Sequence, residues 1–297
     1  MPKGTGPDTT IGERLREAAA ELDEVSPSAR LDVEMLMAAA LGVSRSDLLL
    51  RHVRDAVPAG FDALYQRRLA HEPVAYILGQ AEFYGLELRV TPAVLIPRAD
   101  SETLIDAAIN ALADQPPQRI LDCGTGSGAL LLAALAQWPE AMGVGIDRSG
   151  EALAVAGNNA RRLGLDGRAC LLERDWDNPG WSADLGQFNL ILANPPYVEV
   201  DAPLARVVRD HEPAGALFAG VEGLDAYRVL VPQLPSLLAP DGVALVEIGS
   251  RQAEAVTALA SDSGLSAKLH HDLAERPRVL EMRDQRNISL GKRRVPD

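Results

Sequence analysis

The chain has 297 residues, 47% hydrophobic and 24% charged, enough for one large α/β domain and a smaller one. Its net charge is −13, and neither side of a division near residue 90 is basic. That balance counts against a protein that embraces duplex nucleic acid and suits a cationic protein partner. The opening MPKGTGPDTT has no apolar signal core, and the longest apolar run, Ala129–Ala136, is too short to cross a bilayer. The two cysteines, Cys123 and Cys170, fall in predicted strands, which predicts buried, reduced thiols in a cytoplasmic protein. No Cys/His cluster has metal-ligand spacing, so no metal is expected.

In chain order, residues 1–73 read as a small helical bundle. Thr10 can cap IGERLREAAAELDE, with Glu13 completing a capping box. Ser28 can cap ARLDVEMLMAAAL, which ends on Gly42; Leu31, Met35, Ala38 and Leu41 recur on it at helical spacing. Ser44 opens SRSDLLL, and Pro58 precedes a further helix. Residues 74–96 are rich in β-branched and aromatic residues, with glycines at 79 and 85, and predict a β-hairpin linker. Residues 97–297 alternate strand and helix. Strands RILDCG, MGVGID, ACLLERD, FNLILAN and GVALVEIG are followed by two more, around 266–271 and 278–283; one helix is expected over LDAYRVLVPQLPSLLA. Near-continuous apolar strands predict a doubly wound, mostly parallel, seven-stranded Rossmann-like sheet covered on both faces.

The chemistry gathers at strand ends. The first strand runs into Gly124-Thr125-Gly126-Ser127-Gly128, where glycines let the backbone turn tightly and approach a ligand at a helix N-terminus. The second ends at Asp147, whose carboxylate can accept both hydroxyls of a ribose; an N-cap for the helix after Ser149 is the plainer role. The third ends in Arg174-Asp175-Trp176, where an aromatic can flank an adenine ring or simply fill an interface. Loop and acid together indicate a nucleoside cofactor and leave NAD and S-adenosylmethionine both open. The fourth strand ends in Asn194-Pro195-Pro196-Tyr197, for which an oxidoreductase has no evident use.

With these residues the chain resembles the class I S-adenosylmethionine-dependent methyltransferases, and more narrowly the HemK/PrmC family of release-factor glutamine methyltransferases. The segments that carry the resemblance are HEPVAYILGQAEFYGLELRVTPAVLIPRADSE (71–102), LDCGTGSGALLLA (121–133), ERDW (173–176) and ILANPPYV (191–198), with HEPAGALFAGVEGLDAYR (211–228) and LVEIGSRQ (245–252). The family's usual IPRPDTE is IPRADSE here, and its Gly and Asp before a late Arg are replaced in DLAERPRVLEMR. The NPPY turn is shared with adenine-N6 methyltransferases of nucleic acid, and a sister family modifies a glutamine of a ribosomal protein; residues 71–102 narrow the choice.

The resemblance implies S-adenosylmethionine bound by Gly124, Thr125, Gly126, Ser127, Gly128, Asp147, Trp176 and Asn194. It implies a glutamine held by Asn194, Pro195, Pro196 and Tyr197, with Asn194, Pro195 and Tyr197 at the chemistry, in the Gly-Gly-Gln segment of class I peptide-chain release factors. It places the methyltransferase domain at 97–297 and assigns the bundle to substrate recognition. An amide nitrogen is a weak nucleophile; the Asn194 oxygen and a proline carbonyl can accept its two protons and aim it, with Tyr197 stacked on the amide. Arg98, Asp100, Glu102, His211, Glu212 and Glu247 receive no settled role, and His270 and His271 are expected at the surface.

Overall fold

The structure is a computed structural model and describes residues 9–286. The chain forms two compact units: one runs to Gln80 and takes in Leu204–His211, the other comprises Ala81–Pro203 and the chain from Glu212 onward.

The first unit contains helices Ile11–Leu22, Ala29–Leu41, Phe61–Leu69 and Val74–Leu78, with short turns between and Arg206–Arg209. Thr10 forms the capping box with Glu13, Gly42 ends the second helix at φ 75°, and Ser44 accepts from Asp47 N. Its core includes Ile11, Leu15, Val33, Leu36, Met37, Phe61 and Tyr65. Two expectations fail here. Ser28 makes no cap; its hydroxyl donates instead to the Asp32 carboxylate one turn further in, at 2.8 Å. Leu31 and Met35 are exposed, because a helix apolar on most sides does not declare in its own sequence which face its neighbours cover. The buried face includes Asp32, which accepts from Ser26 Oγ at 2.7 Å and from the buried Arg68 Nε at 2.8 Å.

The residues expected to form a hairpin over 74–96 divide differently. Val74–Leu78 is helical, stopped by Gly79 at φ 72°, and only β1 (Gln80–Phe83) and β2 (Leu86–Arg89) pair. Tyr84 and Gly85 both have positive φ, as a tight two-residue hairpin turn requires. Asn159, fully buried, accepts from Arg89 N at 2.7 Å and donates through Nδ2 to the carbonyls of Arg89 and Ser127, tying this hairpin to the glycine loop.

The second unit is built on β3 (Arg119–Cys123), β4 (Met142–Asp147), β5 (Ala169–Glu173), β6 (Phe188–Ala193), β7 (Leu238–Glu247), β8 (Leu265–His271) and β9 (Pro277–Asp284). They form one sheet in the order β5-β4-β3-β6-β7-β9-β8, parallel from β5 to β7 and antiparallel where β9 joins β7 and β8. Alternate residues of each central strand enter two cores. Ile120, Leu190, Leu192, Val243 and Leu245 meet helices Glu102–Ala111 and Ala129–Gln137; Leu121, Cys123, Ile191, Ala193, Ala244 and Val246 meet Tyr227, Leu230 and Val256. The helix expected over residues 224–239 is broken into Asp225–Leu230, a 3₁₀ turn and Leu234–Leu237, since Pro232 and Pro235 donate no backbone N–H. Cys123 is buried, but Cys170 is exposed, because β5 is an edge strand with one face toward solvent. No described helix is long and apolar enough to cross a membrane.

Asp32 and Arg68 form a buried pair in the first unit, and removing one partner strands the other charge. Asp32→Ala is expected to cost about 3–5 kcal/mol of stability, measured as a lowered urea midpoint.

Candidate active site

Register decides what stands together. Cys123 pairs with Ile146 on one side and with Ala193 on the other, and Ala193 pairs with Val246. The next residues, Gly124, Asp147, Asn194 and Glu247, therefore stand in one row at the end of the sheet, Asp147 and Glu247 as the last residues of β4 and β7. The row spans the point between β4 and β6 where connections turn to opposite sides of β3, the usual ligand crevice of such sheets.

The glycine loop is shaped for close approach. Gly124, Gly126 and Gly128 all have positive φ, a region that only glycine enters freely. A Cβ on Gly124 would lie 3.2 Å from the Trp176 ring, so the absent side chain is what lets ring and loop meet. Gly124 N and Thr125 N donate to Ile146 O at 2.9 and 2.8 Å, and Gly126 N donates to Asp147 Oδ2 at 2.9 Å. Asp147 Oδ1 accepts from Ser149 N, also at 2.9 Å, while the helix cap itself is the Ser149 hydroxyl. Each Asp147 oxygen thus spends one lone pair on the backbone and keeps one, which can accept a ribose hydroxyl. Beneath the loop, Asp122 accepts from Thr125 Oγ1 at 2.7 Å, while its Oδ1 is buried without a partner. Burial pushes the Asp122 carboxyl up to about 7; the Thr125 hydroxyl opposes this and the Asp147 charge adds to it.

Asn194 follows β6. Its Nδ2 donates to Ser101 Oγ at 3.2 Å, and its Oδ1 has no partner among the described residues. Tyr197 turns away from the crevice: its hydroxyl donates to Glu247 Oε1 at 3.2 Å, and its carbonyl accepts from Gln252 Nε2 at 3.1 Å. Burial and the Glu247 charge both raise the Tyr197 pKa, so it remains a neutral donor. Val198 N donates to Leu217 O and Ala219 N to Val198 O, which fastens the chain after the turn.

A cavity of about 410 Å³, within the usual range for small-ligand sites, opens at this row. It is lined by Gly124, Thr125, Gly126, Ser127, Asp147, Trp176, Asn194 and Pro196 from the expected set, and also by Arg98, Ser101 and Asp175. Gly128, Pro195 and Tyr197 do not line it; Gly128 starts the helix, with Leu132 and Ala156 where a side chain would go. Arg98 Nη2 donates to Glu212 Oε1 at 2.5 Å, and Glu212 Oε2 also accepts from Ile96 N, so this pair holds the IPRADSE segment. Asp100 pairs with Arg278 at 3.0 Å and Glu102 accepts from Tyr84 N. His270 is partly buried against Glu281, at 2.9 Å. Ser101, Asn159, Gln252 and Arg278 carry no motif of their own; the nearest sequence signal for Ser101, Gln252 and Arg278 is their place in IPRADSE, LVEIGSRQ and the segment around the late Arg, and Asn159, on the helix Gly150–Arg162, has none.

The sheet order, the glycine loop with its acid one strand over, and the NPPY turn at the switch point define a class I S-adenosylmethionine-dependent methyltransferase. Residues 13–79 match the PrmC N-terminal domain and residues 115–284 a methyltransferase domain. The release factor glutamine methyltransferase of Caulobacter vibrioides is 40% identical over 278 residues, covering 92% of this chain and 93% of its own. That of Bradyrhizobium diazoefficiens is 40% identical over 284 residues, covering 92% of each. The hMettl16 catalytic domain, solved with MAT2A 3′UTR hairpin 6, has a TM-score of 0.54 at 13% identity, covering 68% of this chain and 76% of that one, a likeness of fold. This chain belongs to the release factor glutamine methyltransferase family.

The Asp122 carboxyl yields a pH prediction. Its native pKa stands above the unfolded value of 3.8, so between about 4 and about 7 the folded state binds more protons and stability falls as pH rises. Asp122→Asn is expected to flatten that slope, by of order 2–4 kcal/mol across the window, read from melting temperature against pH.

Proposed function

We propose that this protein methylates the side-chain amide nitrogen (N5) of the glutamine in the Gly-Gly-Gln segment of class I peptide-chain release factors. The observation that carries the reading is Asn194: it lines the cavity and commits Nδ2 to Ser101, so Oδ1 is left to accept an N–H. Relatives that are 40% identical over nearly the whole chain and are named for this activity support it.

Bound S-adenosylmethionine supplies an electrophilic methyl group on a sulfonium and leaves as a neutral sulfide. Everything else falls to the chain. Gly124 to Ser127 bring backbone close to the cofactor, Asp147 accepts from its ribose, and Trp176 flanks its adenine ring. Asn194 Oδ1 and a proline carbonyl of the turn accept the two amide protons and turn the nitrogen toward the methyl group. Pro195 and Pro196 fix the direction of that carbonyl by locking φ. Tyr197, tied back to Glu247, holds the turn from behind rather than stacking on the substrate. No side chain need remove a proton before attack, since the nitrogen becomes far more acidic as it is alkylated and then releases one of its two protons to water. Positioning at about 3–3.5 Å can then supply several kcal/mol of the barrier reduction. The N-terminal bundle is assigned to recognition of the release factor, and the acidic surface suits a basic protein partner.

Incubation with labelled S-adenosylmethionine and purified release factor, its Gln→Ala variant, a ribosomal protein or DNA tests the reading. Label is expected on the wild-type factor and not on the Gln→Ala variant; label on DNA alone, or none on the factor, overturns it. Asn194→Ala is expected to lower kcat about 10²–10³-fold with cofactor still bound. Asp147→Ala is expected to weaken cofactor binding about 10–100-fold by calorimetry, the loss of charge-assisted hydrogen bonds to a ribose.

A further inference from the structure

A carboxamide is nearly symmetric in shape, so Asn194 can serve an NH₂ group only if something stops it from rotating half a turn and presenting its own NH₂. We propose that Ser101 and Glu247 are positioning residues that fix the polarity of the Asn194 carboxamide, so that the site selects an N–H donor. This rests on the role of Asn194 given above.

Two unmet needs lie side by side. Ser101, buried at the end of a 3₁₀ turn, accepts from Asn194 Nδ2 at 3.2 Å, so its single hydrogen must go elsewhere. Glu247, 1% exposed, ends β7 in the row next to Asn194; its Oε1 accepts from Tyr197, and its Oε2 is buried with no hydrogen-bond partner. Ser101 is bonded to Asn194, and register sets Glu247 in the neighbouring place of the row, so the spare hydrogen and the empty acceptor are neighbours; the Ser101 hydroxyl also lowers the Glu247 pKa against burial. Joined, the chain has one direction. With the Ser101 hydrogen turned to Glu247, Asn194 Nδ2 can only donate to Ser101, and Asn194 Oδ1 is left as an acceptor. A buried acceptor without hydrogens thus specifies, two bonds away, which end of Asn194 meets the substrate.

The direction holds only while Glu247 is ionised. Burial raises its pKa; Ser101, the Arg278 guanidinium and the Tyr197 hydroxyl lower it, and Asp100 raises it again. Tyr227, whose hydroxyl donates to the Glu247 carbonyl, and Asp272, which with Asp100 pairs Arg278, complete the charged and titratable surroundings. Once protonated, Glu247 can donate to Ser101, and the chain can reverse and offer Asn194 Nδ2 to a substrate that has only hydrogens to give. Activity should therefore fall as pH drops through the raised Glu247 pKa.

Three variants test this with the full-length protein. Ser101→Ala and Glu247→Gln are expected to lower kcat about tenfold or more, with KM and cofactor affinity within about twofold, because a glutamine amide can both donate and accept and leaves the direction unset. Ser101→Thr, which keeps the hydroxyl, is expected to restore activity, and Glu247→Gln to lose the acid limb of the kcat profile. A readout that needs no substrate is the Glu247 carboxyl carbon followed by ¹³C NMR: Ser101→Ala should raise its pKa. An unmoved Glu247 pKa, or a kcat loss matched by lost cofactor affinity and a lowered melting temperature, overturns the proposal. Labelling of the release factor by the wild type judges the substrate reading separately.

Discussion

In a parallel sheet every strand must give way to its crossover at the same edge, and what the chain does there is constrained by where neighbouring strands stop. Here β3, β4, β6 and β7 end within one residue of one another in register, so four residues that are far apart in sequence stand in a single line. Each is followed by a different device: a left-handed glycine loop, an acid that accepts from that loop, a proline-stiffened turn, and a buried carboxyl. A slip of one residue in any pairing would send these side chains to the opposite face. The register is held by the two apolar cores, which take alternate residues of each strand, so the site's geometry is a consequence of packing far below it.

Above that line, polar contacts join segments that the sheet alone would not hold. Asn159 reaches from its helix to both the hairpin and the carbonyl of Ser127, and being fully buried it has no water to replace those bonds. Arg98 with Glu212, and Arg278 with Asp100, do the same for the IPRADSE segment. The result is a turn, Asn194 to Tyr197, fastened on both sides: Ser101 and Glu247 on one, Gln252 and the Leu217 carbonyl on the other. Such preorganisation suits a reaction whose main requirement is that two reacting atoms be aimed.

Much of this could be read from the chain itself. Glycines that must adopt positive φ, apolar strands buried on both faces, an acid about twenty residues past the loop and prolines ending a strand all leave local marks, and so the sheet was legible, as was the placing of the loop, Asp147, Trp176 and Asn194 at one crevice. What lay hidden was set by partners distant in sequence. Ser101 meets Asn194 across 93 residues and Asn159 meets Arg89 across 70, and no spacing rule links either pair. The buried face of Ala29–Leu41 was misread because its apolar residues nearly encircle the helix. The segment over 224–239 was read as continuous although two prolines interrupt it. Stacking of Tyr197 on an amide is a role that the motif suggests, and the bond from its hydroxyl to Glu247, a residue 50 positions away, leaves no local mark.

The exposure of Cys170 has a practical side. The chain has two cysteines, and the other is sealed beneath the glycine loop, where burial also raises its pKa and suppresses the thiolate. Chemical conjugation should therefore go to one atom without any engineering. That atom sits on β5 three residues before Glu173, roughly 10 Å along the strand from the edge where Asp147 stands. A fluorophore attached there would sit on the outer edge of the sheet, close to the cavity but outside its lining, and so offers a probe on the unaltered sequence that leaves the site residues untouched.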